Sequence, residues 1–447
     1  MVEANIIDEA SRLVRDALNV GFDEAAVEII ETVESQIRFS NNSIDIAKRW
    51  ISRRINVFVA KDGRMAVSTF EDAKVAQRSL GKLRSYITLL PIHKNYTRLP
   101  KGPFRYEKID GIYDPKIAEL SDKAVDMVNS TIASALNAGA RRVAGSLRWG
   151  VNKIGLATSR DVQTDTKETF IYVDVRAFVN SEATGHGDRC SRLLSDFEPE
   201  EAGRESGEVA RMSTKRGKID PGVYDTIFHH AAVANILNNI AMAASAFYVS
   251  AGFSFFKGKL GQEIASDKVT LIDNPLYPGG FGSRPFDDEG VPTRKTVIIK
   301  EGHLKTFLHN RLTAKEFNTE TTANAGWISP SAWQIELKTG DSSIDELLSL
   351  ISKGLVVMNA TYTRFQNYQT GEFSSIIRDG VFYVENGDIK FSVRNLRLSD
   401  SFLNILKNVA EIGKEKRQIY HWWLEQGIPV IAPPILVRNV KFTAPGK

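Results

Sequence analysis

Two adjacent imidazoles open the longest apolar stretch of the chain, His229-His230-Ala231-Ala232-Val233-Ala234-Asn235. Zinc hydrolysis needs about three protein ligands, an open coordination position and a base for the bound water. A His-Glu-x-x-x-His segment supplies two ligands and the base from one piece of helix. Laid on that pattern, His230 can still coordinate, but Ala231 has no carboxylate and Asn235 offers only a weak neutral oxygen. Loss of a carboxylate base costs about two to four orders of magnitude in rate, and loss of ligands removes the metal. Read on its own, the pair is two neutral, hydrogen-bonded imidazoles at the start of a buried helix.

Two other groupings carry metal-binding or acid–base types. Asp287-Asp288-Glu289 could hold a hard cation or line a cleft; between Pro285 and Gly290 the same acids make a turn. His186 and Cys190 are four apart, the spacing of a metal pair on a helix, but Gly185 and Gly187 argue against a helix there. Nucleophile-elbow, phosphate-loop and dinucleotide patterns are missing: Gly252-Phe253-Ser254-Phe255-Phe256, Gly258-Lys259 and Gly279-Gly280-Phe281-Gly282 each lack the required spacing.

The elements that must position these groups follow from periodicity. Ile6 to Leu18 repeats apolar residues at helical spacing. Ala26 to Ile30, Ser35 to Phe39 and Arg53 to Ala60 read as strands, and Asp62-Gly63 as a hairpin turn. A helix follows Thr69 and runs towards Leu90. Pro91 to Tyr113 is a connecting loop. Asp114-Pro115 starts a helix whose apolar face continues to Gly139. Strands return at Arg142 to Arg148, Gly155 to Ser159 and Glu168 to Asn180. Thr184 to Arg192 reads as a loop, and a helix spans about Pro199 to Ser213.

Beyond Gly222 an apolar helix begins at Ile227. Further helices are expected at Ser342 to Lys353 and Asp400 to Ile412, with hairpins at Glu301-Gly302 and Glu385-Asn386-Gly387. Strands and helices do not alternate strictly, so the expected class is α+β. An N-terminal α/β region of hairpins and helices precedes a mainly β C-terminal domain built around a buried helix. The expected segments are 1–90, 114–216 and 222–447.

Bulk properties narrow the function. At 447 residues the chain exceeds one ordinary core. A net charge of +4 is far from a nucleic-acid footprint. The single cysteine, Cys190, excludes an internal disulfide and fits a reducing, cytoplasmic compartment. Asn235, Asn238 and Asn239 interrupt the apolar run, which suits a buried helix and not a membrane span.

Downstream motifs give these fragments a context. Ser254-Phe255, Lys259-Leu260-Gly261-Gln262, Asp273-Asn274-Pro275 and Pro285-Phe286-Asp287-Asp288-Glu289-Gly290-Val291-Pro292 follow one another. Glu301-Gly302-His303-Leu304, Thr313-Ala314 and Thr370-Gly371-Glu372-Phe373-Ser374 come next. In this order they resemble the TldD/PmbA (TldE) family, once labelled modulators of DNA gyrase and viewed as a heteromeric metalloprotease. The resemblance is best from Gly222 onward and weaker through Phe70.

The resemblance implies a metal site made of His-Glu-x-x-x-His and a later cysteine. This chain departs at the Glu, at the second His and at the cysteine. Ile419-Tyr420-His421-Trp422-Trp423 stands where the thiolate is expected, which places His421 near it. His230, Ala231, Asn235 and His421 are therefore expected to be remnants of a degenerate site, with no catalytic residue and no metal in this chain. The departures match the PmbA/TldE-type subunit. Such a subunit is expected to be a homo- or heterodimer, to have a zinc-bearing TldD-like paralogue as partner, and to present peptides, for example by strand addition to a sheet edge. Two other readings stay open: an independent hydrolase using His230, His421 and the 287–289 loop, and a regulatory protein-binding module.

Overall fold

The computed structural model describes residues 5–421 and 423–444. Its N-terminal part opens with α1 (Ile6–Asn19), where Asn5 caps Ile7 and Ala10, Leu13, Val14 and Ala17 turn inward. A long hairpin follows, β1 (Glu24–Ser40) and β2 (Ser43–Lys61). The three short strands expected here are two long ones, joined by Asn41 and Asn42 at φ 47° and 69°. Asparagine tolerates this left-handed backbone, which matches the twist of a tight hairpin. Asp62-Gly63 makes the expected turn into β3 (Arg64–Phe70). Next comes α2 (Ala73–Tyr86), capped by Asp72, which accepts from the backbone N–H of Lys74 and Val75.

The helix expected from Asp114 to Gly139 is broken into α3 (Pro115–Ala118) and α4 (Lys123–Asn137). Ser121 and Asp122 lie at the break, residue types that compete for backbone groups. Three strands and a helix then follow: β4 (Arg142–Thr158), β5 (Gln163–Phe178), β6 (Thr184–Ser191) and α5 (Pro199–Met212). The expected loop at Thr184 to Arg192 is thus the buried strand β6. Its glycines serve close packing: a Cβ on Gly185 would lie 2.1 Å from Ser206 O, and one on Gly187 2.1 Å from Ala202 O, both on α5.

These strands form one antiparallel sheet in the order β3-β2-β1-β4-β5-β6. β1 and β4 pair from Ala26–Thr158 to Phe39–Gly145, so segments 1–90 and 114–216 share it. Ile37, Leu147, Ile171, Val173 and Val175 pack with residues of α4 and α5. The residues that alternate with them, among them Glu34, Arg148, Tyr172 and Asp174, face the C-terminal half.

The C-terminal half contains an eight-stranded and a six-stranded sheet. Gly222–Phe228 is a strand, so the helix α6 (His230–Ala243) begins after Ile227, later than expected. α6 is buried almost throughout and packs against strands of both sheets. Its three asparagines stay inside with hydrogen-bond partners, although Asn235 Nδ2 has none among the described residues. Asn238 Nδ2 donates to Ile428 O at 2.5 Å, Asn238 Oδ1 accepts from Gln426 N, and Asn239 Nδ2 donates to Asn235 O. Among the described residues no helix is long and apolar enough to cross a membrane.

Two expected helices are shorter. Ser342 to Lys353 contains only Ile344–Ser349, where Ser343 and Glu346 form a capping box. Asp400 to Ile412 splits into strand Arg397–Ser401, helix Phe402–Lys407 and strand Val409–Ile412, because both ends pair with Ile435–Thr443. The hairpin turns at Glu301-Gly302 and Asn386-Gly387 adopt the expected positive φ. The architecture is α+β, with a mainly β C-terminal half around a buried helix.

Candidate functional site

α6 begins where a strand ends, so its first turn meets the 415–418 segment and α5. His229, the residue before the helix, donates its backbone N–H to Val357 O at 2.9 Å. His230 Nε2 lies 2.9 Å from Glu415 O, and its Nδ1 is buried without a partner among the described residues. Ala231 presents a buried methyl group. Asn235 lies five residues on, about 140° around the helix from His230, and its Oδ1 accepts from Thr363 Oγ1 at 2.6 Å.

His421 sits in other company. Its Nδ1 accepts from Trp423 N at 3.2 Å, and its ring lies 5.4 Å from that of His186. His230 instead packs at 4.5 Å against His229. Trp422 is outside the described residues. His186 and Cys190 both lie in β6, about 13 Å apart along an extended strand, so they are no metal pair. His186 Nε2 is 3.8 Å from Asp174, and Cys190 Sγ donates to Gln418 O at 3.6 Å. Among the described residues, no three His, Cys, Asp or Glu side chains converge to hold a metal.

Arg417 organises the space around the first turn of α6. Its guanidinium pairs with Glu205 at 2.6 Å and with Asp188 at 3.3 Å. Glu205 also receives Arg189 at 2.8 Å and lies 3.9 Å from His229 Nδ1. Burial favours the neutral acid at Glu205, but Arg417 and Arg189 override it and hold the carboxyl well below its usual range. Burial pushes His229 down to about 4, with Arg417 and Arg189 adding to it against Glu205. Burial and then Arg417 hold His230 well below an ordinary imidazole. Burial brings His421 to about 3, opposed by Asp188 and assisted by His186 and Arg417. The three rings are neutral bases beside a fixed cation. A cavity of about 870 Å³ opens next to His229 and His230, lined also by Glu205, Arg417, Met358 and Phe382.

The depressed His421 has a measurable consequence. A base whose folded pKa is lowered contributes stability above its unfolded pKa, and that contribution is lost as pH falls towards the folded value. His421→Gln removes this loss. The stability gap between wild type and His421→Gln should therefore narrow by about 2 kcal/mol from pH 7 to pH 5, read by denaturant unfolding. A gap independent of pH would mean that His421 titrates alike in the folded and unfolded chain, and a gap that widens in acid would place a charged imidazole at 421.

The acidic loop is a turn. Asp287 is fully buried, and its Oδ1 accepts from Glu289 N at 3.0 Å and Val291 N at 2.9 Å while Oδ2 accepts from Ala325 N at 3.1 Å. Glu289 is held by Arg311. Asp288 shares Arg284 with Glu28 at 3.2 and 3.8 Å, and burial together with the Glu28 charge lifts Asp288 to about 7. These carboxylates join the two halves of the molecule and are engaged by backbone and arginine.

The model of the PmbA/TldA metallopeptidase C-terminal domain matches residues 221–444, and that of PmbA/TldA metallopeptidase domain 1 matches residues 25–82. The chain belongs to the PmbA/TldD family. It is 34% identical over 206 residues to a metalloprotease of Methanocaldococcus jannaschii, a stretch covering 44% of this chain and 43% of that one. The chain spans about half the length of the curated metalloproteases it matches. A solved Thermotoga maritima protein, described as a modulator of a DNA gyrase, superposes with TM-score 0.85 at 25% identity over 98% of this chain and all of that one. TldE of Thermococcus kodakarensis shares the fold, with TM-score 0.84 at 20% identity over 98% of this chain and all of that one.

Within this PmbA/TldD fold, Arg417, Glu205, Asp188 and Asp174 escaped the sequence reading. Glu415-Lys416-Arg417 looks like an ordinary solvated charge run, and no local signal marks its third residue as half-buried between two carboxylates.

Proposed function

We propose that this chain is the metal-free, TldE-like subunit of a two-subunit cytoplasmic metallopeptidase, and that a zinc-bearing paralogue supplies the catalytic centre. The supporting observation is the Arg417 ion network at the start of α6. A zinc ion would meet a methyl group at Ala231, an amide oxygen already engaged by Thr363, and a half-buried guanidinium whose charge repels it. The residues present do not fit the metal, so no hydrolytic step is assigned to them. His230 packs on His229, His421 packs on His186, and the 287–289 acids are engaged by backbone and arginine, which supports the metal-free reading over an independent hydrolase.

In this reading the cavity beside α6 is a wall against which a partner presents peptide. Zinc and the water-activating base belong to the paralogue. Co-expression with a zinc-bearing family member is expected to give one complex on size exclusion, with zinc in the paralogue alone and chelator-sensitive peptide cleavage by the complex. The purified chain by itself should neither retain zinc nor cut peptides. Metal-dependent cleavage by this chain alone, or failure of the two chains to associate, would overturn the assignment.

A further inference from the structure

β2 pairs with β1 along its whole length, but β3 covers it only from Ile55 onward. Residues 43–54 are therefore an open edge, about 40 Å of extended chain. The opposite edge of the sheet, β6, is buried. Nine of the twelve open-edge residues are exposed, on both faces of the ribbon, including Ile51 at 76% and Ile46 at 41%. An uncovered edge offers its unpaired N–H and C=O groups to another strand, and proteins ordinarily keep such edges short. Lys48, Arg49 and Arg54 have no ion-pair partner among the described residues.

We infer that residues 43–54 of β2 are a docking edge for an extended acidic and aliphatic segment of another polypeptide. The charges decide between occupants. Directly opposed residues of an antiparallel pair lie on the same face. A two-fold pairing of two copies centred on this stretch therefore sets Lys48 against its own mate, or Arg49 against its own. Like charges directly opposed are destabilising; a dyad through Ala47 would set Asp45 against Arg49 but leave Lys48 facing Ile46, so an acidic foreign strand answers the charges of this edge better than a second copy does. A foreign strand running antiparallel places aliphatic residues opposite Ile51 and Ile46 and carboxylates opposite Arg49 and Lys48. The segment that fits has two adjacent acids flanked, one residue further out on each side, by aliphatic side chains. This inference does not rest on the metal-free subunit reading, because its test needs neither zinc nor a second subunit.

The probe is a fluorescein-labelled threonine peptide with two adjacent glutamates and a valine one residue beyond on each side, titrated with the full chain by fluorescence polarisation. It should bind on the order of tenfold more tightly than the same peptide with lysines for glutamates. N-methylation of its edge-facing amides should abolish binding. Lys48→Glu combined with Arg49→Glu, both at exposed positions, should reverse the preference while leaving the circular dichroism spectrum unchanged. Ile51→Ser should weaken binding of either peptide. Equal affinity for both peptides, no binding of either, or indifference to N-methylation would overturn the inference. So would sedimentation showing a dimer of the chain that dissociates in the Lys48→Glu, Arg49→Glu variant, since the edge would then belong to a second copy.

Discussion

Replacing Asp287 by alanine is expected to lower the unfolding free energy by about 3 kcal/mol or more. The carboxylate is completely buried and accepts three backbone N–H groups, from Glu289, Val291 and Ala325. Alanine would strand all three donors without admitting water. The effect reaches beyond the loop, because Asp288 N also donates to Ala325 O and so ties the 285–293 turn to the 323–333 segment. That segment carries Trp327 onto Phe58 and towards Glu28 of the N-terminal sheet, with ring centroids 6.1 Å apart and an indole N–H at 3.4 Å from the carboxylate. Asp287→Asn should be milder, since its oxygen keeps the Glu289 and Val291 bonds while its NH₂ faces the Ala325 N–H. Guanidinium unfolding followed by far-UV circular dichroism gives the order wild type, asparagine, alanine. A loss below about 1 kcal/mol for alanine would remove Asp287 from the set of fold-determining residues.

What was legible in the sequence was what local chemistry dictates. The turns at Asp62-Gly63, Glu301-Gly302 and Asn386-Gly387 could be read because few residue types accept a left-handed backbone. Asn41-Asn42 is a turn of the same kind, yet it was missed because Ala47-Lys48-Arg49 shows no alternation. That part of β2 is exposed on both faces, so no apolar period marks it as a strand. The error at β6 has the opposite origin. Gly185 and Gly187 resemble loop glycines, but their role is to let α5 approach the sheet, a contact between segments that no window of sequence contains.

The same distinction separates the parts of the candidate site. His230 and α6 stand out as an apolar run with a polar start, so both could be named in advance. The sequence leaves open whether His230 and His421 meet; in the fold His421 packs on His186 while His230 packs on His229. The group that does dominate the site, Arg417, finds Glu205 212 residues away and Asp188 229 residues away. Long-range ion pairs of this sort leave no periodicity. They are set by how β6, α5 and the strand Arg417–Ile419 meet.

Arg417→Leu should therefore be the most damaging single change near α6, again costing about 3 kcal/mol or more. Deleting one member of a buried ion network leaves its partners charged and uncompensated: Asp188, nearly inaccessible, would lose its guanidinium, and Glu205 would keep only Arg189. The sign of the pH dependence follows from Glu205. Its folded pKa is depressed, so its contribution is fully present above the ordinary carboxylate range and is lost as pH falls through the folded value. The difference between wild type and Arg417→Leu should accordingly be complete at pH 7 and shrink in acid. Arg417→Lys should fall between the two, because a point charge cannot bridge two carboxylates as a planar fork does. Combining Arg417→Leu with Glu205→Gln should cost less than the sum of the single changes, since the second removes the charge that the first leaves unpaired. A role limited to filling space predicts none of the charge effects. If the guanidinium also sets the electrostatics of the site, ¹³C-labelled histidine spectra should show the His229, His230 and His421 imidazoles titrating at higher pH in the leucine variant. Unchanged stability together with unchanged imidazole titration would mean that Arg417 neither holds this region together nor opposes a metal there.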